Sequence, residues 1–220
     1  MNQLADGLHQ LRGFPPHFFN VYLMGPVLVD AASRHAHRRI LRQLRGHRVE
    51  AHALTHAHPD HQGASHRVCE ALGVPYWVGE GDRAAAESGD IARFQPDVIV
   101  NKVLHGLLSG PGRPVDRGLR EGDEVGGFTV LEVPGHSAGH VAFWRESDRT
   151  LLCGDVVTNM TFRTGLPGLH EPERVFTPDP ARNRDSARRL AELEPALVCF
   201  GHGPPLRDTR RFVDFVTDLP

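Results

Sequence analysis

Thr55-His56-Ala57-His58-Pro59-Asp60-His61 follows a short apolar run at 49–54, and its spacing decides how the chain is read. In an extended segment residues i and i+2 project to one side, so His56 and His58 can grip one ion together. Pro59 disfavours helix at the preceding residue and redirects the chain, which leaves Asp60 and His61 at the mouth of the next helix, able to face a second ion. Three imidazoles and a carboxylate packed this densely are costly to desolvate unless they bind something; a solvated polar loop is the competing reading.

Three further strand ends carry the same residue types. His136 stands in VPGHSAGH, Asp155 in LLCGDVV and His202 in VCFGHGPP, each in the order apolar strand, glycine, ligand type. Glycine lets the backbone turn so that the next side chain can point over a sheet edge. Singly these are weak signals, because a His or Asp after a strand is more often a cap or a hydrogen-bonded loop residue. Together they complete two coordination spheres.

The rest of the chain supplies a frame for such a site. Residues 20–30 read as two short strands around Gly25 and Pro26, 33–45 as a helix closed by Gly46, 49–54 as a strand, 62–72 as a helix ended by Gly73, and 75–78 as a strand. The second half is richer in β-structure: 119–124, 128–133, 141–145 and 150–153 read as strands of a meander. Residues 156–179 are punctuated by Gly and Pro without clear periodicity, as in a functional loop. A helix at 185–193, a strand at 196–200 and a closing helix at 209–215 follow. Strand and helix alternation with active residues on the loops after strands points to an α/β layered fold.

Length and charge set the outer limits. The 220 residues suit a single domain over 1–220. Lys+Arg of 25 against Asp+Glu of 27 gives a formal charge of -2, which recommends neither nucleic acid nor an anionic membrane as partner. A small-molecule substrate is expected, and a homo-oligomer is allowed. Cys69, Cys153 and Cys199 are odd in number and lack a CxxC, which argues for a reducing compartment. The N-terminus has no basic start with an apolar stretch behind it, and no apolar run is long enough to span a bilayer, so a cytoplasmic protein is expected. The 15 histidines are many for this length, and His is the commonest metal ligand near neutral pH.

HxHxDH followed by His, Asp and His, in this order from about residue 20 to 206, resembles the metallo-β-lactamase superfamily, and with Asp155 in its place the glyoxalase II, lactonase and thioesterase branch. The resemblance implies a four-layer αββα sandwich (α/β, α+β) holding two divalent ions, zinc first, with iron or manganese as alternatives. It places His56, His58 and His136 on one ion, Asp60, His61 and His202 on the other, and Asp155 between them. Asp30, in LVDAA, matches an aspartate that the family uses beside the first ligand loop. The implied reaction is hydrolysis of an ester-like bond, thioester or lactone favoured, by a hydroxide bridging the two ions, with Asp60 orienting it. A mononuclear iron persulfide dioxygenase is the alternative and a nucleic-acid phosphodiesterase a more distant one. The chain ends at Pro220, close behind His202, where glyoxalase II proper continues into a glutathione-binding helical domain, so glutathione thioesters are not the expected substrate.

Substrate contacts are expected from the 156–179 loop, with Asn159, Arg163 and His170 as candidates beside Thr161, Phe162 and Phe176. His35 and His37 lie in an Arg-rich helical stretch where i and i+2 do not face one another, and read as solvated. His140 reads either as a pocket residue or as a loop hydrogen-bonder, and Cys153 as core filling.

Overall fold

In the computed structural model, which describes residues 1–162 and 164–220 (Ile91 by its backbone alone), the Gly25–Pro26 turn joins two strands of a seven-stranded sheet. Its strands are β1 (Asn2–Ala5), β2 (Leu8–Gln10), β3 (Tyr22–Met24), β4 (Val27–Val29), β5 (Ala51–Ala53), β6 (Tyr76–Gly79) and β7 (Arg117–Leu119), neighbours in chain order. The first four pair antiparallel through hairpins. From β4 onward pairing is parallel, so helices must carry the chain back each time. These are α1 (His37–Gln43), α2 (Pro59–Gln62), α3 (Ser65–Leu72), α4 (Arg83–Ser88) and α5 (Ile99–Leu108).

The second half contributes β8 (Glu124–Val125), β9 (Phe128–Glu132), β10 (Val141–Arg145), β11 (Thr150–Gly154), a separate hairpin β12 (Thr158–Met160) with β13 (Pro167–His170), then α6 (Pro180–Ala191), β14 (Leu197–Phe200) and α7 (Thr209–Thr217). The meander β8 to β11 is antiparallel, and β14 adds in parallel beside β11.

Alternation along the strands explains how the two sheets stack. Tyr22, Met24, Ala51 and Ala53 from one sheet meet Phe128, Val130, Val141, Phe143 and Leu152 from the other in one buried cluster. The alternate residues face helices: Leu23 and Leu28 meet Ile40 and Val68, while Leu131, Ala142 and Leu151 meet Leu190 and Phe212. The order is therefore α, β, β, α. Burial of each large apolar side chain contributes about 1.5–3 kcal/mol, and both faces of both sheets are covered.

Three sequence readings change. Residues 119–124, expected as one strand, leave the first sheet at Leu119 and enter the second at Glu124; between them Asp123 accepts from the Arg120 amide at 2.9 Å and Gly122 takes φ 82°, so this stretch is the crossover between sheets. The helix expected at 185–193 begins at Pro180, because Asp179 accepts from the Arg182 amide at 3.0 Å and proline suits the first helical position. The 156–179 loop contains the β12–β13 hairpin, which Pro167 and Gly168, poor strand formers, conceal in the sequence. Among the described residues, no helix is long and apolar enough to cross a membrane.

Candidate metal centre

Four strand ends deliver the seven candidate ligands to one place. His56 leaves the end of β5, and His58, still extended at φ -96° and ψ 158°, precedes α2 with Pro59 at its first position. Asp60 and His61 ride that turn, His136 follows β9, Asp155 follows β11 and His202 follows β14. Three sets have ligand atoms close enough for a shared ion: His56, His58 and His136; His56, His61 and Asp155; Asp60, His61 and His202. Asp155 Oδ2 is the hub. It lies 3.0 Å from His202 Nε2, 3.5 Å from His61 Nε2, 3.6 Å from His136 Nε2 and 4.0 Å from His56 Nε2. His202 Nε2 is also 3.3 Å from Asp60 Oδ2.

What stands behind each ring fixes its tautomer. The Thr55 hydroxyl donates to Asp30, so its oxygen accepts from His56 Nδ1 at 3.1 Å. Thr177 donates to the Glu173 carbonyl and accepts from His136 Nδ1 at 3.0 Å. His61 Nδ1 donates to Asp30 Oδ2 at 2.9 Å, and His202 Nδ1 to the Phe18 carbonyl. With Nδ1 held by an outer partner in all four rings, Nε2 is the atom each ring turns towards Asp155, the arrangement that such partners impose on metal-ligating histidines. Asp30, buried, thus orients two of the candidate ligands from behind, through Thr55 and directly.

Charge and burial agree with a cation at this point. His56 Nε2, His136 Nε2 and Asp155 Oδ1 are buried and have no hydrogen-bond partner among the described residues, a costly condition that an ion would relieve. Burial drives His56 and His136 well below the ordinary imidazole pKa and His58 down to about 4, so these rings are neutral and free to bind. Burial also opposes charge on His202, yet the Asp155 and Asp60 carboxylates outweigh it and raise this ring to about 9. Burial acts on Asp155 in the opposite sense, but His202 and His61 hold it well below the carboxylate range. The residues present fit a divalent pair.

Close approach matters at two glycines. A side chain on Gly201 would place its Cβ 2.0 Å from Asp155 Oδ1, so this glycine makes room and not merely a turn. Gly154 takes φ 56°, and a Cβ there would meet His140 Nε2 at 2.4 Å. His140 itself, neutral because burial lowers it to about 3, accepts from the Asp155 amide at 3.3 Å; it supports the hub from behind, the loop-bonding alternative of its two readings. Cys153 is buried among the core residues between the second sheet and α6.

Asp82 was not singled out by sequence, although VGEGD after β6 repeats the strand, glycine, acid order. Its buried carboxylate accepts from the Ala57 amide at 2.9 Å, the Ser137 hydroxyl at 2.6 Å and the Gly139 amide at 2.7 Å. It ties the loop bearing His56 and His58 to the loop bearing His136.

A cavity of about 280 Å³ opens over the cluster, floored by His58, Asp60, His136, Asp155 and His202 and walled by Phe18, Phe19, Leu104, Leu108, Phe162 and Phe176. A more polar cleft of about 380 Å³ adjoins it, sharing Thr158, Phe162, Pro172 and Glu173. Of the residues read as substrate contacts, His170 lines the polar cleft, and Arg163 lies outside the described residues. Asn159 lines neither: it is buried, with its amide nitrogen donating to the Pro204 carbonyl at 2.8 Å, and so braces the loop of His202. His35 is exposed and His37 half-buried at the start of α1, away from the cluster.

Residues 15–202 match the Metallo-beta-lactamase superfamily, and the chain belongs to that superfamily. It is 27% identical to the probable metallo-hydrolase YflN of Bacillus subtilis (strain 168), with 99% of this chain and 91% of that relative covered. A hydroxyacylglutathione hydrolase of Bdellovibrio bacteriovorus is 29% identical over 67% of this chain, which spans only 46% of that relative's length. A crystal structure of a metallo-beta-lactamase family protein from Thermus thermophilus matches with TM-score 0.72 at 28% identity, covering 98% of this chain and 80% of that one.

Proposed function

We propose that this chain hydrolyses an ester-like carbonyl bond, thioester or lactone in preference to others, at a two-metal centre held by His56, His58 and His136 on one side, Asp60, His61 and His202 on the other, and Asp155 between. The observation that carries the reading is the hub: four histidines turn Nε2 onto one carboxylate oxygen within 4.0 Å. Two divalent ions, when bound there, supply Lewis acidity and hydroxide at neutral pH. The chain contributes the rest. Asp155 balances charge between the two ligand sets, and Asp30, Thr177 and the Phe18 carbonyl keep the imidazoles aimed. Asp60, on the cavity floor, is held ionised by His202 and His61 against the opposing effect of burial. It is placed to orient the attacking oxygen and to take up and return a proton. The relative named a hydroxyacylglutathione hydrolase supports the carbonyl-ester side of this reading.

The test is metal analysis of the purified protein by mass spectrometry, followed by a screen of thioesters, lactones, phosphodiesters and glutathione persulfide with and without chelator. Chelator-sensitive release of a carboxylic acid with two bound ions is expected. Chelator-insensitive hydrolysis, or oxygen uptake on one iron, would overturn the proposal. Asp60→Asn should lower turnover by roughly 10²-fold or more, the scale of lost proton-transfer catalysis, with the unfolding midpoint little changed. Unchanged turnover at full metal content removes Asp60 from that role.

A further inference from the structure

We infer that the cavity selects substrates whose acyl group is uncharged and apolar, of about the size of an aromatic ring, and that the adjoining cleft takes a polar leaving group. This rests on the hydrolase reading above and names its substrate class. The six wall residues Phe18, Phe19, Leu104, Leu108, Phe162 and Phe176 come from four separate segments, yet all converge on one volume. None of the six is fully buried, so apolar surface remains for a ligand to cover, and covering it is favourable by about 25 cal/mol per Å².

The aromatic members brace one another. Phe18 meets Phe19 edge-on at 5.0 Å and Phe162 at 5.6 Å, and Phe162 and Phe19 meet the His202 ring at 4.5 and 5.7 Å. The apolar wall therefore continues directly into a candidate ligand, which puts an acyl group in the cavity beside the point where its carbonyl would react.

Charge and size narrow the class. Apart from the candidate ligands, the ionisable group on the wall is Glu173, and no Lys or Arg lines the cavity among the described residues. Among the described residues, an acyl group bearing a carboxylate would meet an acid and no counter-ion. An apolar cavity of about 150 Å³ holds a benzene ring, so about 280 Å³ accommodates a ring with its linker and carbonyl. The polar cleft, with Thr158, His170, Arg174 and Asn183 on its walls, adjoins the cavity and shares Phe162 with it. In the reaction the acyl–sulfur bond breaks, the oxygen of water bonds to the acyl carbon, and the thiol leaves with one proton of that water; no electrons change hands.

The test uses metal-loaded full-length protein and thioesters of one polar thiol with acetyl, phenylacetyl and succinyl groups. The expected order of kcat/KM is phenylacetyl over acetyl by about tenfold or more, with succinyl lowest. Leu104→Trp, which fills the cavity, should reverse the phenylacetyl-to-acetyl ratio, chiefly through KM. Binding of the uncharged amides phenylacetamide and acetamide, followed by calorimetry, supplies a reading independent of turnover. Hydrolysis with a flat acyl profile, or with succinyl preferred, overturns the cavity assignment alone. No hydrolysis, but selective binding of phenylacetamide, supports the assignment and overturns the hydrolase reading. Equal binding of both amides overturns the assignment whatever the turnover.

Discussion

The metal cluster and the apolar wall above it are built by opposite rules. In the cluster, His56, His61, His136 and His202 each have a named polar partner behind the ring, and the backbone around them is packed too closely at Gly201 to tolerate a single extra carbon. In the wall, the side chains lean on one another, on loops and on one face of α5. Chemistry is thus held where geometry is over-determined, and selectivity where surfaces are soft and replaceable. Substitutions in the first region should abolish function; those in the second should redirect it.

The sharpest way to break this contrast is Asp155→Asn. The change is nearly isosteric but removes the charge that faces four imidazoles, and turnover should fall by at least about 10³-fold, beyond the cost of one lost stabilising donor. The accompanying loss of bound metal is measured by mass spectrometry. Retention of two ions and of most activity would show that the hub is not the point on which the site depends.

Asp82 offers a graded version. Its hydrogen bonds among the described residues go to the loops of His56, His58 and His136, so its loss should weaken one side of the pair selectively. Asp82→Asn keeps the shape but cannot accept from two amides and a hydroxyl together. Zinc affinity at one of two sites is expected to drop 10–100-fold, the usual effect of removing an outer partner. Stepwise chelator titration separates the sites; an equal loss at both would mean that Asp82 acts through the fold as a whole.

The same contrast explains what could be read without a structure. HxHxDH was legible because its geometry is local: extended i and i+2 side chains share a face wherever the strand lies. The strand, glycine, ligand order at His136, Asp155 and His202 was legible because glycine marks a tight turn at a sheet edge. Asp82 carries that order too, but only the fold shows that its carboxylate points back into the ligand loops. An α/β layered fold followed from the alternation of strands and helices and its αββα form from the family resemblance, whereas the crossover at 120–123 did not, since its six-residue run reads equally as one strand. The cavity wall was least legible. Leu104 and Leu108 belong to a helix apolar on several sides, with Ile99, Val103 and Leu107 exposed, so periodicity alone gives α5 no inward face. Phe18 and Phe19 meet Phe162 only through tertiary packing. Arg163, one of the candidate substrate contacts, lies outside the described residues.

The smallest effect tests whether a buried histidine without a ligand role behaves differently from those of the cluster. His52, on the strand that leads into the ligand loop, has both ring nitrogens satisfied by the protein, Nδ1 with the Leu28 carbonyl at 3.1 Å and Nε2 with the Ser65 hydroxyl at 2.7 Å, and stacks on Tyr76. Burial lowers it from 6.5 to about 4, outweighing the Leu28 carbonyl and Asp30, which favour the proton. A histidine whose folded pKa lies below its unfolded one contributes stability that is fully present above 6.5 and is lost as pH falls towards 4. Between pH 7.5 and 5.5 its share is about 1 kcal/mol, since a tenfold change in proton affinity corresponds to roughly 1.4 kcal/mol. His52→Gln should therefore have a shallower acid limb in urea unfolding than the parent chain, by about that amount. Saturating zinc should leave the difference between the two proteins unchanged, because His52 offers the ion no free nitrogen. An identical acid limb in both would place the whole pH dependence in the cluster, and a difference that zinc erases would make His52 part of the metal-linked network instead of the frame behind it.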